Sequence, residues 1–192
     1  MIKVKRQTDP ELAALVDEEL NRQEHNIEMI ASESTAPLAA KTWSFKYAAS
    51  QEFHDIMAQV IVNAKCLAEE LQKYGFRIVS GGTDNHLLVV DLRSKGLTGK
   101  TMQNALDAVG ITVNKNMIPF DPEKPGVTSG IRIGLTAVSQ RGLKEPEIRE
   151  IAAIINQVAE APEDEANLKA CKAKAEALIA KFPLYPAGSF DD

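Results

Sequence analysis

Leu87-Leu88-Val89-Val90-Asp91-Leu92 is a nearly continuous apolar run. Such a run predicts a short strand buried on both faces. Just before it, residues 80–83 hold two glycines and read as a turn, and residues 76–79 read as a second strand. Further back, Phe53, Ile56, Met57, Val60, Ala64, Leu67 and Leu71 keep a helical period. They place a long helix from about residue 39 or 50 to residue 74, stopped by Gly75. After the run, Thr98 caps a helix to about residue 109 with Met102, Leu106 and Val109 inward, and Gly110 ends it. Residues 112–113 form a brief strand, residues 114–126 a proline-containing loop, and residues 130–135 a further strand. Lys144-Glu145-Pro146 opens a helix through residue 158, with Ile148, Ile151, Ile155 and Val158 inward. Glu163 opens a last helix to about residue 181, with Leu168, Cys171, Leu178 and Phe182 inward.

The order helix, strand, strand, helix, strand, helix predicts an α+β fold. In this α/β sandwich, helices cover one face of a small, mainly antiparallel sheet. The N-terminus adds an amphipathic helical arm. Asp9-Pro10-Glu11 supplies a cap, a first-position proline and a first-turn acid. Leu12, Leu15, Val16, Leu20, Gln23 and Ile27 then form one stripe. Residues 32–38 read as a turn, which divides the chain into an arm (1–38) and a small domain with its connecting helix (39–192).

The chain has 192 residues, 44% hydrophobic and 26% charged, a balance ordinary for one globular core. A net charge of −5 gives no electrostatic case for nucleic acid or an anionic membrane surface. No apolar run reaches membrane-spanning length and no signal-peptide pattern opens the chain, so the expected location is cytoplasmic. Cys66 and Cys171 lack metal-ligand spacing and sit on apolar helix positions, which predicts reduced core thiols.

Four stretches carry a family resemblance. They are Asn21-Arg22-Gln23-Glu24-His25-Asn26-Ile27-Glu28-Met29-Ile30-Ala31-Ser32-Glu33-Ser34, Val79-Ser80-Gly81-Gly82-Thr83-Asp84-Asn85-His86-Leu87, Ile111-Thr112-Val113-Asn114-Lys115-Asn116-Met117-Ile118-Pro119 and Val127-Thr128-Ser129-Gly130-Ile131-Arg132-Ile133-Gly134. Together, and in this order, they resemble serine hydroxymethyltransferase. The resemblance implies a dimeric pyridoxal-phosphate enzyme of one-carbon metabolism, moving a one-carbon unit between serine and tetrahydrofolate. The first stretch is similar to that family's N-terminal arm and the other three to its C-terminal small domain. The large domain that would carry the cofactor lysine, in a threonine-rich His-Lys context, is not visible between them.

Its absence can be read residue by residue. The three histidines are His25, His54 and His86, and none precedes a lysine. Lys41, in Ala39-Ala40-Lys41-Thr42-Trp43, is read as a solvated helix lysine. Lys46-Tyr47-Ala48-Ala49 aligns either with a family tetrapeptide ending in a proton-transfer glutamate or with the long connecting helix. Both alignments leave that glutamate absent. Gly99-Lys100-Thr101 ends like a phosphate-binding loop, but Ser94 stands where the pattern needs its first glycine.

What the resemblance leaves is a set of substrate contacts. It implies that Arg132 and Ser32 hold the amino-acid carboxylate, a task suited to a guanidinium's paired donors. It implies that Asn116 meets the folate ring, for which a carboxamide offers both donor and acceptor. His86, entering the apolar run, is expected to be a hydrogen-bonded structural residue. No catalytic residue, metal site or bound cofactor is expected in this chain, pyridoxal phosphate belonging to the complete family enzyme. The expected partner is a second copy, in a dimer formed by helix exchange, or a full-length enzyme.

Overall fold

The computed structural model describes residues 44–184, together with Glu18, Asn21, His25, Ile27 and Glu28. The expected helix start at Asp9, most of the arm stripe, the turn at 32–38, Lys41 and Ser32 lie outside the described residues. Glu18, Asn21 and His25 are helical, but Ile27 leaves the expected stripe. With Glu28 it forms strand β1 (Ile27–Glu28).

Residues 44–48 are helical, and the helix breaks at Ala49 and Ser50. One continuous helix therefore does not run through the junction. Ser50 is extended (φ −82°, ψ 154°) and its hydroxyl accepts the Phe53 N–H at 3.2 Å, which starts helix α1 (Gln51–Lys73). Glu52 in the first turn and Lys73 in the last match the helix dipole. Gly75, at φ +83°, ends it as its sequence position predicts. From Val60 onward the apolar stripe is buried, and Leu67 and Leu71 are fully so. Each such leucine contributes roughly 2 kcal/mol of transfer energy. Phe53, Ile56 and Met57 are only half-buried, since they precede Gln59, Asn63 and Cys66, where the helix meets Ser139, Leu143 and Glu145.

Strands β2 (Arg77–Ile78), β3 (Leu87–Asp91), β5 (Asn114–Asn116) and β6 (Gly130–Gly134) form one sheet in the order β2-β3-β6-β5, antiparallel at every junction. Between β3 and β5 come a 3-10 turn (Arg93–Lys95), helix α2 (Gly99–Ala108) and the short strand β4 (Ile111–Thr112). Helices α3 (Thr136–Gln140), α4 (Glu145–Glu160) and α5 (Glu165–Ile179) complete the chain. Strand β4 pairs in parallel with β1, joining Ile27 to Ile111 and Glu28 to Thr112. Strand β1 therefore pairs within this chain.

The α+β sandwich holds, with one correction to the decisive run. Leu88 and Val90 are buried, whereas Leu87 and Val89 are half-buried. The strand is therefore covered by helices on one face only. Strand β5 is also a correction, since residues 114–116 read as loop. Asn-Lys-Asn has poor strand propensity. The segment is held instead by pairing with β6 and by the Gln103 side chain, which accepts the Lys115 N–H at 2.8 Å.

The helical layer is pinned to itself by a buried polar group. Asn63 on α1 is fully buried. Its amide donates to Ser139 Oγ at 2.8 Å and to the Leu143 carbonyl at 2.9 Å, and accepts from Gln59 Nε2 at 3.0 Å. Those bonds tie α1 to α3 and to the start of α4, and they satisfy a side chain that would otherwise destabilise the core. Cys66 and Cys171 are buried and free, as read from their helix positions. Burial raises both thiol pKa values, against the opposing pull of Arg149 on Cys66 and Lys174 on Cys171.

Candidate functional site

Side chains alternate along a strand, so Leu88, Val90, Ile131 and Ile133 point to the helices and their neighbours to the other face. Register then arranges that outer face in two rows. One row runs Arg77, Asp91, Gly130, Asn116 across the four strands. The next runs Val89, Arg132, Asn114. Asn114 stands directly opposite Arg132, and Asn116 is its diagonal neighbour, roughly 7 Å away at that spacing. Two of the three expected contact residues, Arg132 and Asn116, thus share one face. Ser32 lies outside the described residues.

Arg132 is half-buried, and its Nε is buried without a hydrogen-bond partner among the described residues. An unpaired buried donor on a guanidinium is costly, about 1–3 kcal/mol, and it marks a place where an acceptor fits. Asn116 turns its amide nitrogen to the Met117 carbonyl at 2.6 Å, and its carboxamide oxygen has no hydrogen bond among the described residues.

The first row is fixed by charge. Asp91 is 2% exposed and accepts from Arg77 Nη1 at 2.7 Å, from Arg93 Nη2 at 2.8 Å and from the Arg93 N–H at 3.0 Å. The Arg93 guanidinium first, then its backbone N–H and Arg77, outweigh burial and lower the Asp91 pKa to about 2.

The loop between β5 and β6 folds over this face. The Ile118 side chain sits against Gly130, where a Cβ would also meet the Val90 and Asn116 carbonyls. Asp121 organises the loop. One carboxylate oxygen accepts the Ile118 N–H at 3.1 Å and the Ser129 N–H at 2.9 Å. The other accepts the Glu123 N–H at 2.9 Å and the Ser129 hydroxyl at 2.6 Å. Burial opposes the charge, but the Ser129 hydroxyl and the three N–H donors hold the carboxyl well below the usual carboxylate range. Two residues of the loop are left-handed, Phe120 at φ 56° and Thr128 at φ 59°. Each costs about 1 kcal/mol or more, less than four hydrogen bonds to a charged acceptor at about 1.5 kcal/mol each contribute.

Asn114, Asp91 and Asp121 were not singled out by the sequence. Asn114 was hidden because β5 read as loop. Asp121 gave no signal, since an acid between two prolines looks like any turn.

Other candidates separate from this face. His86 is exposed, and its side chain makes no hydrogen bond among the described residues, contrary to expectation. Its backbone carbonyl accepts the Leu135 N–H at 2.9 Å. A groove of about 850 Å³ lies between α1 and residues 79–85, lined in part by Lys65, Glu69 and Asp84. Its one charge contact, Lys65 to Asp84 at 3.7 Å, is between exposed groups.

A pyridoxal phosphate needs a lysine for its aldehyde and free N–H groups for its phosphate. The two rows around Arg132 contain no lysine, and Lys115 faces the opposite side, beside Ile131. At α2, the Gly99 and Lys100 N–H groups donate to the Thr128 and Val127 carbonyls, and Thr101 N–H to the Thr98 hydroxyl. A Cβ on Gly99 would meet Thr128 Oγ1 and the Gly130 carbonyl, so that terminus is packed against chain rather than open to an anion. Neither the Arg132 face nor the α2 terminus fits the cofactor.

Comparison with known proteins agrees with the last three of the four stretches quoted above. The serine hydroxymethyltransferase profile matches residues 34–155. The serine hydroxymethyltransferase of Myxococcus xanthus (strain DK1622) is 51% identical over 148 residues, covering 77% of this chain and 35% of the relative. That of Nitrosomonas europaea (strain ATCC 19718) is 54% identical over 148 residues, covering 77% of this chain and 36% of the relative. The chain spans little more than a third of the length of these relatives. The profile takes in more than half of its residues, and the chain belongs to the serine hydroxymethyltransferase family.

Proposed function

We propose that this chain is a catalytically silent small domain of the serine hydroxymethyltransferase family that keeps the substrate-side contacts and lacks the cofactor chemistry. One observation carries this reading: Arg132, whose Nε has no partner among the described residues, shares the helix-free sheet face with Asn114 and Asn116 but with no lysine. A guanidinium beside two carboxamides suits a ligand with a carboxylate and a hydrogen-bonding ring, such as an amino acid or a tetrahydrofolate. Without an aldehyde to hold an amino group, such contacts bind weakly and transfer nothing. Ser32 joins Arg132 on the carboxylate in this reading. Calorimetry with a tetrahydrofolate analogue at millimolar concentration tests it. Heat that disappears in Arg132→Ala supports it, and no heat in the parent chain removes the binding half of the proposal.

The short β1–β4 pairing supports association. The two residue pairs between β1 and β4 are the arm strand's backbone pairing with its own domain. So short a pairing is easily exchanged with a second copy. We place the protein in the cytoplasm as a homodimer formed this way, with a full-length family member as the competing partner. Light scattering that gives only monomer across a wide concentration range overturns the homodimer. Co-purification with a full-length relative would favour the competing partner. Among the described residues, no helix is long and apolar enough to cross a membrane.

A further inference from the structure

We propose that Asp121 is the positioning residue of the Arg132 face, setting the spacing between Arg132 and Asn116 without touching ligand itself. The inference rests on that face being the ligand face.

The geometry is specific. Strands β5 and β6 are joined by residues 117–129, a loop long enough to allow more than one register. Asp121 ties both of its ends to a single carboxylate oxygen, since Ile118, two residues beyond β5, and Ser129, immediately before β6, donate to the same atom. The second oxygen holds the loop's interior through Glu123 and repeats the grip on Ser129 through its hydroxyl. Ser129 is in turn locked to the sheet, its carbonyl accepting the Leu92 N–H at 2.9 Å. Its neighbour Thr128 is fixed to α2 by the Gly99 N–H. The carboxylate thus connects the end of β5 to a rigid point on β3 and α2. Moving it shifts Asn116 relative to Arg132, and it frees Ile118 from Gly130.

Phe120 and Thr128 add an independent argument. Two non-glycine residues in the left-handed region lie within the captured segment, and an unclamped loop would relax them. The clamp holds the loop in the one conformation that seats Ile118 over the sheet.

Variants grade the clamp. Ser129→Ala removes one of the four bonds. Asp121→Asn removes two if the nitrogen replaces the oxygen shared by Ile118 and Ser129, and one if it replaces the other, because the Ser129 hydroxyl can then accept instead of donate. Asp121→Ala removes all four. The measurement is amide hydrogen exchange on the full chain, with the Arg132 Nε–Hε resonance followed by NMR. The Lys115 N–H points away to Gln103, so the Asn116 N–H faces β6 and reports on the β5–β6 ladder. We expect exchange at Asn116 and Arg132 to rise about tenfold in Asp121→Asn and further in Asp121→Ala, with a shifted Arg132 Nε–Hε signal. Val79, whose N–H bonds Val89 at the far edge, should stay within twofold of the parent. Unchanged protection at Asn116 and Arg132 in Asp121→Ala overturns the proposal. So does a rise that is equal at Val79, which would make Asp121 a stability residue only. No ligand enters the measurement, so a failed folate titration leaves this result standing, and a failed exchange result leaves the titration standing.

Discussion

Asp91 offers the most quantitative test of the outer face. Its carboxyl is buried between Arg77 and Arg93 and has its pKa lowered from 3.8 to about 2. A group with a depressed folded pKa stabilises the fold above its unfolded pKa, and that contribution is lost as pH falls through the folded value. The shift corresponds to about 2 kcal/mol at neutral pH. By linkage, roughly 1 kcal/mol of it is gone by pH 3 and most of it by pH 2. The assay is urea denaturation of the parent and of Asp91→Asn at pH 7, 5, 4 and 3, with 0.1 M salt held constant. The parent's advantage over the variant should be steady from pH 7 to 5 and should shrink by about 1 kcal/mol between pH 5 and 3. Asp121 titrates in both proteins and cancels from the difference. A gap between the two proteins that does not change with pH would refute the reasoning, because Asp91 would then act through shape and not charge.

Other perturbations probe separate links. Asn63→Ala removes three hydrogen bonds from a fully buried site and strands the Leu143 carbonyl, so denaturation should show a loss of about 3 kcal/mol with an unchanged denaturant slope. Gly99→Ala drives a methyl into Thr128 and Gly130, so it should destabilise by about 1–3 kcal/mol and shift the NMR signals of β6, including Arg132. Cys66 and Cys171 should react with a thiol reagent many times more slowly in the folded protein than in urea, since both are buried and burial raises their pKa values.

The fold was legible wherever one periodicity governed a segment. The stripe of α1, the Thr98 cap of α2 and the inward isoleucines of α4 all appear as their spacing predicts. Failures came where tertiary pairing overrode local preference. Asn114–Asn116 became a strand because β6 and Gln103 supply its partners. Ile27 left the helical stripe because an edge at Ile111 was free to pair with it. The apolar run at 87–92 overstated burial, since composition shows what a strand tolerates and not whether both faces are covered. At the site, a shared motif pointed to Arg132 and Asn116. Their common face follows from register, which no single segment encodes. Asp121 was invisible because its role is made by three backbone amides.

The proposed reading of this chain is substrate contacts kept without cofactor chemistry. The direct measurement is a pyridoxal phosphate titration of the full chain followed by absorption. No saturable internal-aldimine band should form at stoichiometric cofactor. A saturable band that a single substitution such as Lys41→Ala abolishes would contradict it.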